Sequence, residues 1–239
     1  MKEEIKKILN EAKKYLQQQE SLFGDEVTLP KSESESEGKI QQVNEKEYGV
    51  DPTWVNSKTL DELESKIKNC VKCPLGKTRT NFVFGVGNPK SEIVFIGEAP
   101  GAEEDLQGEP FVGRAGQLLN HLLASVGFRR DEVYICNVLK CRPPGNRDPQ
   151  PSEIEACGPY LVKQLEIIKP KLIVSLGRFP AQMLLKTNAT LSSLRGQVYE
   201  WRGIKMIITY HPAAVLRNQQ WKRPLIEDLR KAREILYQK

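Results

Sequence analysis

The segment Glu92-Ile-Val-Phe-Ile-Gly-Glu-Ala-Pro-Gly101 joins a continuous apolar run to a glycine-rich turn. Three further runs with strand composition follow at 132–139, 171–176 and 205–210, and helical patterns lie between them. Continuous apolar strands that alternate with helices are typical of a parallel sheet covered on both faces. We therefore predict an α/β fold, a three-layer αβα sandwich around a central, mainly parallel four-stranded sheet.

The helical patterns have apolar residues three and four positions apart. They span residues 115–126, 153–168, 180–185 and 223–237. Residues 197–201 indicate a short extra strand, which a turn at Arg202-Gly203 would fold into a hairpin. Thr59, followed three residues later by Glu62, has the spacing of a helix start that leads to Cys70.

The N-terminal residues form an extension of the folded domain, which we place at residues 58–239. Apolar residues recur at helical spacing over about residues 1–22 and predict one amphipathic helix. From about 24 to 57 this pattern is lost, and Lys31-Ser-Glu-Ser-Glu-Ser-Glu-Gly38 is acidic with nothing to bury. We expect a disordered linker there.

The composition is that of a globular protein with a basic surface. Its 239 residues carry a net charge of +5, and basic residues concentrate at 142–147, 195–202 and 217–223. Such a surface favours a polyanionic partner, most often nucleic acid. The apolar runs are shorter than the roughly 20 residues that a membrane span needs, and residues 1–14 do not have the pattern expected of a secretion signal. We expect a cytoplasmic protein that makes no membrane contact.

Ligands of parallel sheets bind beyond the carboxyl ends of the strands, so residues at those ends are the candidates for chemistry. Glu98 follows the first strand, in a turn that would hold its carboxylate in place. Asn137 is a polar residue at an apolar strand end, and a buried amide needs a partner. His211 ends the fourth strand, whereas His121 is expected on the polar side of a helix. His211 is therefore the better catalytic candidate.

Four motifs follow one another along the chain: Gly97-Glu-Ala-Pro-Gly101, Pro110-Phe-Val-Gly113, Asn137 before Lys-Cys-Arg-Pro-Pro, and His211-Pro-Ala-Ala. Over about residues 65–237 the chain resembles the family 4 uracil-DNA glycosylases. The resemblance implies a DNA-repair enzyme that flips uracil out of single- or double-stranded DNA and hydrolyses its N-glycosidic bond. The products would be free uracil and an abasic site, as in base excision repair.

The resemblance implies four residues that read the base. Phe111 would stack on uracil, with Gly97 in the same substrate site. Asn137 would pair with uracil N3–H and O4, because an amide carries both an acceptor and a donor. Glu104, by its position in the family, would reject the methyl group of thymine.

Bond cleavage would produce an oxocarbenium-like sugar and a uracil anion. The resemblance implies that His211 stabilises the leaving anion, while Glu98 orients the attacking water. Val215 or Leu216 would fill the space that the flipped base leaves, and Arg217 would contact phosphate.

Five cysteines in a chain of this kind favour metal or redox chemistry over disulfides. Cys70-x-x-Cys73, together with Cys141 and Cys157, forms a four-cysteine set. Four thiolates suit zinc as well as an iron–sulfur cluster, and the spacing does not separate the two. The resemblance implies a structural [4Fe–4S] cluster, with no metal needed for the hydrolysis. Cys136 is interpreted as a small buried hydrophobe.

The segment Gln19-Glu-Ser-Leu-Phe23 lies outside the resemblance. It is similar to the peptide by which bacterial replication proteins dock on the sliding clamp. Leu22 and Phe23 would fill an apolar pocket, while the linker tethers the enzyme near DNA. The same two residues also fit the apolar face of the predicted helix, so both interpretations stay open. We expect the enzyme to be a monomer.

Two other functions fit part of the pattern. A group in the same superfamily traps uracil-DNA covalently and carries a histidine-bearing insertion near the position of residues 142–151, but that stretch contains no histidine here. A metal-bound DNA-binding module without catalysis would explain the cysteines and the charge. It would not explain why Glu98, Asn137 and His211 fall at three strand ends, so we favour the glycosylase.

Overall fold

The computed structural model describes residues 45–237. Its centre is a six-stranded sheet with the strand order β1-β3-β2-β4-β6-β5. The strands are β1 (Val86–Gly87), β2 (Ile93–Gly97), β3 (Tyr134–Asn137), β4 (Leu172–Leu176), β5 (Val198–Trp201) and β6 (Ile204–Thr209). The four inner strands are parallel, and β1 and β5 pair antiparallel at the two edges.

The prediction of a four-stranded sheet is wrong in its number, because each edge carries one more strand. The parallel strands β2, β3, β4 and β6 are confirmed. The expected hairpin through Arg202-Gly203 is present and adds β5 beside β6. The sequence contains no signal for β1, since a strand of two residues, one of them glycine, carries no apolar period.

Helices cover both faces of the sheet. They are α1 (Leu60–Ile67), α2 (Leu75–Thr78), α3 (Ala102–Gln107), α4 (Arg114–Ser125), α5 (Pro151–Ile168), α6 (Arg178–Leu185), α7 (Leu191–Leu194), α8 (Pro212–Arg217) and α9 (Lys222–Tyr237). Alternate residues of β2 enter two separate cores. Val94 and Ile96 belong to the core that contains α1, α5 and α6, whereas Ile93 and Phe95 belong to the core of α4 and α9. The predicted α/β class is confirmed.

The folded chain begins earlier than the composition predicts. Residues 52–56 form a turn of 3-10 helix, and its Trp54 is buried in the core. The Trp54 ring meets that of Tyr160 edge to face, with 4.9 Å between centroids. The last part of the expected linker at 24–57 is therefore packed against α5. The predicted helix over residues 1–22 lies outside the described residues.

Side-chain hydrogen bonds fix the starts of two helices. The Thr59 hydroxyl accepts the N–H of Glu62 at 3.2 Å, so α1 begins where the sequence predicts. At the start of α5, Glu153 accepts the N–H of Gln150 at 2.8 Å and two bonds from Arg147. These bonds hold the loop that follows β3. Between residues 45 and 237, no helix has the length and hydrophobicity needed to cross a membrane.

Candidate active site and cysteine centre

A pocket of about 480 Å³ opens at the carboxyl edge of β2, β3 and β6. Its lining includes most of the predicted site residues: Glu98, Glu104, Phe111, Asn137, His211, Leu216 and Arg217. Glu98 follows β2, Asn137 ends β3, and His211 follows β6 after one residue. The three strand ends therefore bring these side chains to one crevice, which is where a parallel sheet binds its ligand.

Gly97, the last residue of β2, lets two side chains approach the strand end. A Cβ atom there would lie 2.3 Å from Oδ1 of Asn137 and 2.6 Å from the ring of Phe111. Any side chain at this position would displace the amide or the ring. Phe111 has a φ of 56°, which is uncommon for a residue with a side chain. Gly116 accommodates this turn, because a Cβ there would lie 1.8 Å from the Phe111 carbonyl oxygen.

Asn137 carries an unsatisfied polar atom at the pocket. The residue is 2% exposed, and its Oδ1 has no hydrogen-bond partner within residues 45–237. Buried polar atoms are nearly always paired, because an unpaired one costs about 1–3 kcal/mol. A ligand with an N–H group would supply the partner that this oxygen lacks.

Glu98 is a half-buried carboxyl on the pocket wall. Burial, and then the negative charge of Asp148, raise its pKa to about 7 against the opposing effects of Arg178 and Arg217. A carboxyl with a pKa near neutrality can take up or release a proton at working pH, as a general base must. This position therefore suits the activation of a water molecule.

His211 is fixed by the helix that it starts. As the N-cap of α8, its Nδ1 accepts the N–H of Ala213 at 3.1 Å, so the neutral ring carries its proton on Nε2. Burial, and then the charge of Arg217, lower the pKa of His211 to about 4. At neutral pH the ring is uncharged and offers one N–H donor. Its centroid is 5.5 Å from that of Phe111.

Glu104 holds together the turn between β2 and α4. Its Oε2 accepts the N–H of Gly101 at 3.1 Å, and its Oε1 accepts those of Val112 and Gly113 at 3.0 and 2.9 Å. Hydrogen bonds to a carboxylate are stronger than those between neutral groups, so this side chain fixes both ends of the turn. The turn carries Phe111, and Glu104 therefore acts on the shape of the pocket through the backbone.

The two candidates for the space left by a flipped base differ in their surroundings. Val215 is fully buried in the core of α4 and α9, so it does not face the pocket. Leu216 is half-buried and lines the pocket beside the exposed Arg217. The expectation for Val215 is not met in this conformation, because the packing of α8 turns that side of the helix to the core.

The loop after β3 adds pocket residues that the strand pattern does not indicate. Asn146, Arg147 and Asp148 line the pocket. Asp148 accepts a hydrogen bond from Arg178 at 2.5 Å, and Arg147 is held by Glu153 at 2.6 and 2.9 Å. In the sequence, only the concentration of charged residues in this loop drew attention to it. That charge favours nucleic acid as a partner, but it does not indicate what each residue does.

The four-cysteine set comes from three segments. Cys70 and Cys73 lie between α1 and α2, Cys141 follows β3, and Cys157 lies in α5. All five cysteines of the chain are free of disulfide bonds. No three His, Cys, Asp or Glu side chains of residues 45–237 are placed to hold a single metal ion. Burial raises the pKa of Cys141 to about 11 against the opposing effect of Arg79, and Cys73 and Cys70 make smaller contributions in the same direction as burial.

Hydrogen-bond donors point at three of these sulfur atoms. The pairs, each at 3.3 Å, are the Tyr160 hydroxyl to Cys70, the Arg79 guanidinium to Cys141, and the Lys140 backbone N–H to Cys157. Donors of this kind suit thiolates, which accept hydrogen bonds and carry negative charge. Cys136 is fully buried in β3 and His121 is exposed on α4, both as predicted.

Comparison with known families agrees with this geometry. The family profile described as Uracil DNA glycosylase superfamily matches residues 84–230, which include the sheet and every pocket residue named above. The fold and the pocket therefore define an enzyme of the uracil-DNA glycosylase superfamily.

Three relatives narrow the class. The chain is 55% identical over 185 residues to the type-4 uracil-DNA glycosylase of Archaeoglobus fulgidus, across 74% of this chain and 93% of that protein. Identity to the type-4 enzyme of Saccharolobus solfataricus is 48% over 75% of this chain and 88% of the relative. Identity to the type-4 enzyme of Thermotoga maritima is 44%, across 77% of this chain and 97% of that protein. The chain belongs to the type-4 uracil-DNA glycosylases, which are base excision repair enzymes that hydrolyse N-glycosyl bonds.

Proposed function

We propose that the pocket receives a uracil flipped out of DNA, and that Asn137 reads it. The observation that carries this proposal is the buried Oδ1 of Asn137 without a partner among the described residues. Uracil offers an N3–H donor beside the O4 acceptor, which match the acceptor and the donors of an amide. Cytosine offers the opposite pattern and would leave buried polar groups unpaired, at roughly 1–3 kcal/mol each.

Phe111 supplies the stacking surface in this proposal. The absence of a side chain at Gly97 lets the ring and the amide of Asn137 meet at one strand end, so a base can contact both. Thymine differs from uracil by one methyl group, which must be excluded by shape. Glu104 would support this exclusion through its three bonds to backbone N–H groups, which keep the turn from widening.

Cleavage would use two groups whose pKa values are shifted in opposite directions. The neutral His211 would donate its Nε2–H to O2 of the departing uracil, which becomes an anion, without giving up the proton. The Glu98 carboxylate would orient the attacking water and offset positive charge on the sugar. Water adds to C1′ as the bond to uracil breaks, so the products are free uracil and an abasic site.

Contacts with DNA would come from α8. We propose that Leu216 fills the space that the flipped base leaves, because it is the large apolar side chain of this helix that lines the pocket, beside the small Ala213. Arg217 is exposed next to it and would contact a phosphate of the bent strand.

We propose that Cys70, Cys73, Cys141 and Cys157 hold a [4Fe–4S] cluster. The donors on three of their sulfur atoms support this ligand set. The cluster would serve the fold, because its ligands come from the segment before α2, the end of β3 and the middle of α5. The reaction at the pocket would proceed through the side chains named above.

A uracil-release assay with matched variants tests the proposed function. The wild type should release free uracil from single- and double-stranded DNA, whereas Asn137→Ala and Glu98→Ala should release it at a strongly reduced but measurable rate and keep their Tm. Val133→Ala is the control for destabilisation, because Val133 is fully buried just before β3, at the opposite end of that strand from the pocket. It should keep its release rate with a lower Tm.

Two results of the same assay would overturn the proposal. Wild-type protein that binds uracil-DNA and releases no uracil would indicate a non-catalytic module. A protein–DNA band that resists denaturation would indicate covalent trapping.

We also propose that Gln19–Phe23, which lies outside the described residues, docks on a bacterial sliding clamp. Its sequence pattern supports this, since Leu22 and Phe23 are the apolar pair that such a peptide inserts. A clamp pulldown should fail with Leu22→Ala and Phe23→Ala together. Glu20→Ala, at the variable position of the motif, should bind normally, and binding by the double variant would end the proposal.

A further inference from the structure

The backbone carbonyl of Asn137 lies beyond the part of β3 that pairs with the edge strand β1. The N–H of Val138 donates to the carbonyl of Gly97 at 3.0 Å, on the β2 side of β3. Because a trans peptide points its C=O and N–H in opposite directions, the Asn137 carbonyl faces away from β2. On that side β1 pairs with β3 at Tyr134 and Ile135 and does not reach Asn137. A buried carbonyl in this position needs another donor.

Lys140 supplies that donor from within the fold. Its side chain is fully buried, and its Nζ donates to the Asn137 carbonyl at 2.8 Å and to Oε1 of Gln164 at 2.6 Å. Gln164 is also fully buried, and its amide donates to the Phe84 carbonyl at 3.0 Å and to the Tyr134 hydroxyl at 3.1 Å. The network therefore ties the peptide of Asn137 to α5 and to the start of β3.

We propose that Lys140 is a positioning residue for uracil recognition, which holds the Asn137 peptide so that its side-chain amide meets the base. This inference rests on the proposed role of Asn137. An ammonium group is costly to bury, and an apolar side chain would fill the same volume at a lower cost. A residue at this position that only packed the core would have no use for the hydrogen bonds that Nζ donates.

A purely structural role is the competing explanation. The backbone N–H of Lys140 donates to Cys157, and Cys141 is its neighbour in the chain, so Lys140 borders the four-cysteine set. Under that explanation, loss of the ammonium would disturb the whole region equally, whichever residue reads the base. Under our proposal, loss of the Lys140 amino group would lower the rate of uracil release only in proteins that retain Asn137.

A double-mutant cycle separates the two explanations. Lys140→Met removes the ammonium and keeps most of the volume, and it is made in the wild type and in Asn137→Ala. Single-turnover uracil release should fall about tenfold in the wild-type background and less than about twofold in the Asn137→Ala background. An equal factor in both backgrounds would overturn the inference. Visible absorbance of the purified proteins should be unchanged, and its loss in Lys140→Met together with release would also overturn it.

Gln164→Leu removes the side chain that accepts a hydrogen bond from Lys140, and the double-mutant cycle is repeated with it. It replaces Lys140→Met in the test if that variant does not fold. Val133→Ala, in both backgrounds, shows the behaviour of a merely destabilised protein. If Asn137→Ala itself releases uracil at the wild-type rate, the proposed reading role fails together with the inference. If Asn137→Ala is impaired and the two factors are equal, only the inference about Lys140 fails.

Discussion

Two polar regions lie at the two ends of the segment from Asn137 to Cys141, and they differ in how their buried groups are satisfied. At the pocket, Oδ1 of Asn137 has no partner among the described residues, and the pKa of Glu98 is raised to about 7. In the four-cysteine set, hydrogen-bond donors point at the sulfur atoms of Cys70, Cys141 and Cys157. An unpaired buried atom that lines a pocket is available to a ligand, whereas paired groups stabilise the fold. We therefore expect substitutions in the pocket to lower the rate of uracil release, and substitutions in the four-cysteine set to lower the Tm.

The strongest test of this contrast is Glu98→Gln. The amide keeps the shape of the side chain and removes the carboxylate, so single-turnover uracil release should fall by about 10²–10⁴-fold. The Tm should stay the same or rise, because the amide avoids burial of a charge. A fall in Tm large enough to explain the lost rate would show that Glu98 is needed for the fold, and it would contradict the difference between the pocket and the four-cysteine set.

His211→Asn should have the next largest effect. Asparagine is a good N-cap, so α8 keeps its start, but the shorter side chain no longer delivers the Nε2–H. The rate of release should fall by about 10²–10³-fold, as when one donor to a developing anion is removed. Circular dichroism should be that of the wild type. A rate within about threefold of wild type would contradict the role of the ring.

The pH profile of the wild type sharpens the assignment of Glu98. Its raised pKa means that the carboxylate is formed only as the pH rises through about 7. Release should therefore increase about tenfold between pH 6 and pH 8. His211, with its pKa lowered to about 4, stays neutral across this pH range and therefore adds no second inflection to the pH profile of release. Glu98→Gln should give a flat profile, and an unchanged slope in that variant would show that another group titrates.

Cys157→Ser should have the smallest effect on rate and a clear effect on stability. We expect it to lose visible absorbance and to lower the Tm by at least about 5 °C, which is the scale of a change of one to two kcal/mol in this size range. Release per folded molecule should fall less than about tenfold. A variant as inactive as Glu98→Gln with an unchanged Tm would reverse the contrast between the two regions.

The sequence predicts those parts of the site that follow from strand ends. Glu98, Asn137 and His211 could be named because each lies at the end of an apolar run, and parallel strands direct such residues to one edge. The four inner strands follow from the same runs. His211 could be preferred to His121 by position, and the structure has His121 exposed on α4.

Features that depend on distant contacts could not be predicted in this way. Lys140 and Gln164 are 24 residues apart, and their bond depends on how α5 packs against the end of β3. The choice between Val215 and Leu216 depends on the rotation of a six-residue helix, which its core contacts determine. Trp54 has no periodic neighbours, so its burial against Tyr160 left no pattern in the sequence.

In the proposed recognition step, uracil completes the unpaired amide oxygen of Asn137. A crystal structure with DNA that carries a flipped, non-hydrolysable deoxyuridine tests it most directly. We expect uracil N3 within roughly 2.7–3.2 Å of Oδ1 of Asn137, with the base stacked on Phe111. A base bound in the pocket while that oxygen stays unpaired, or bound with its O4 edge away from Asn137, would contradict the proposed role of Asn137.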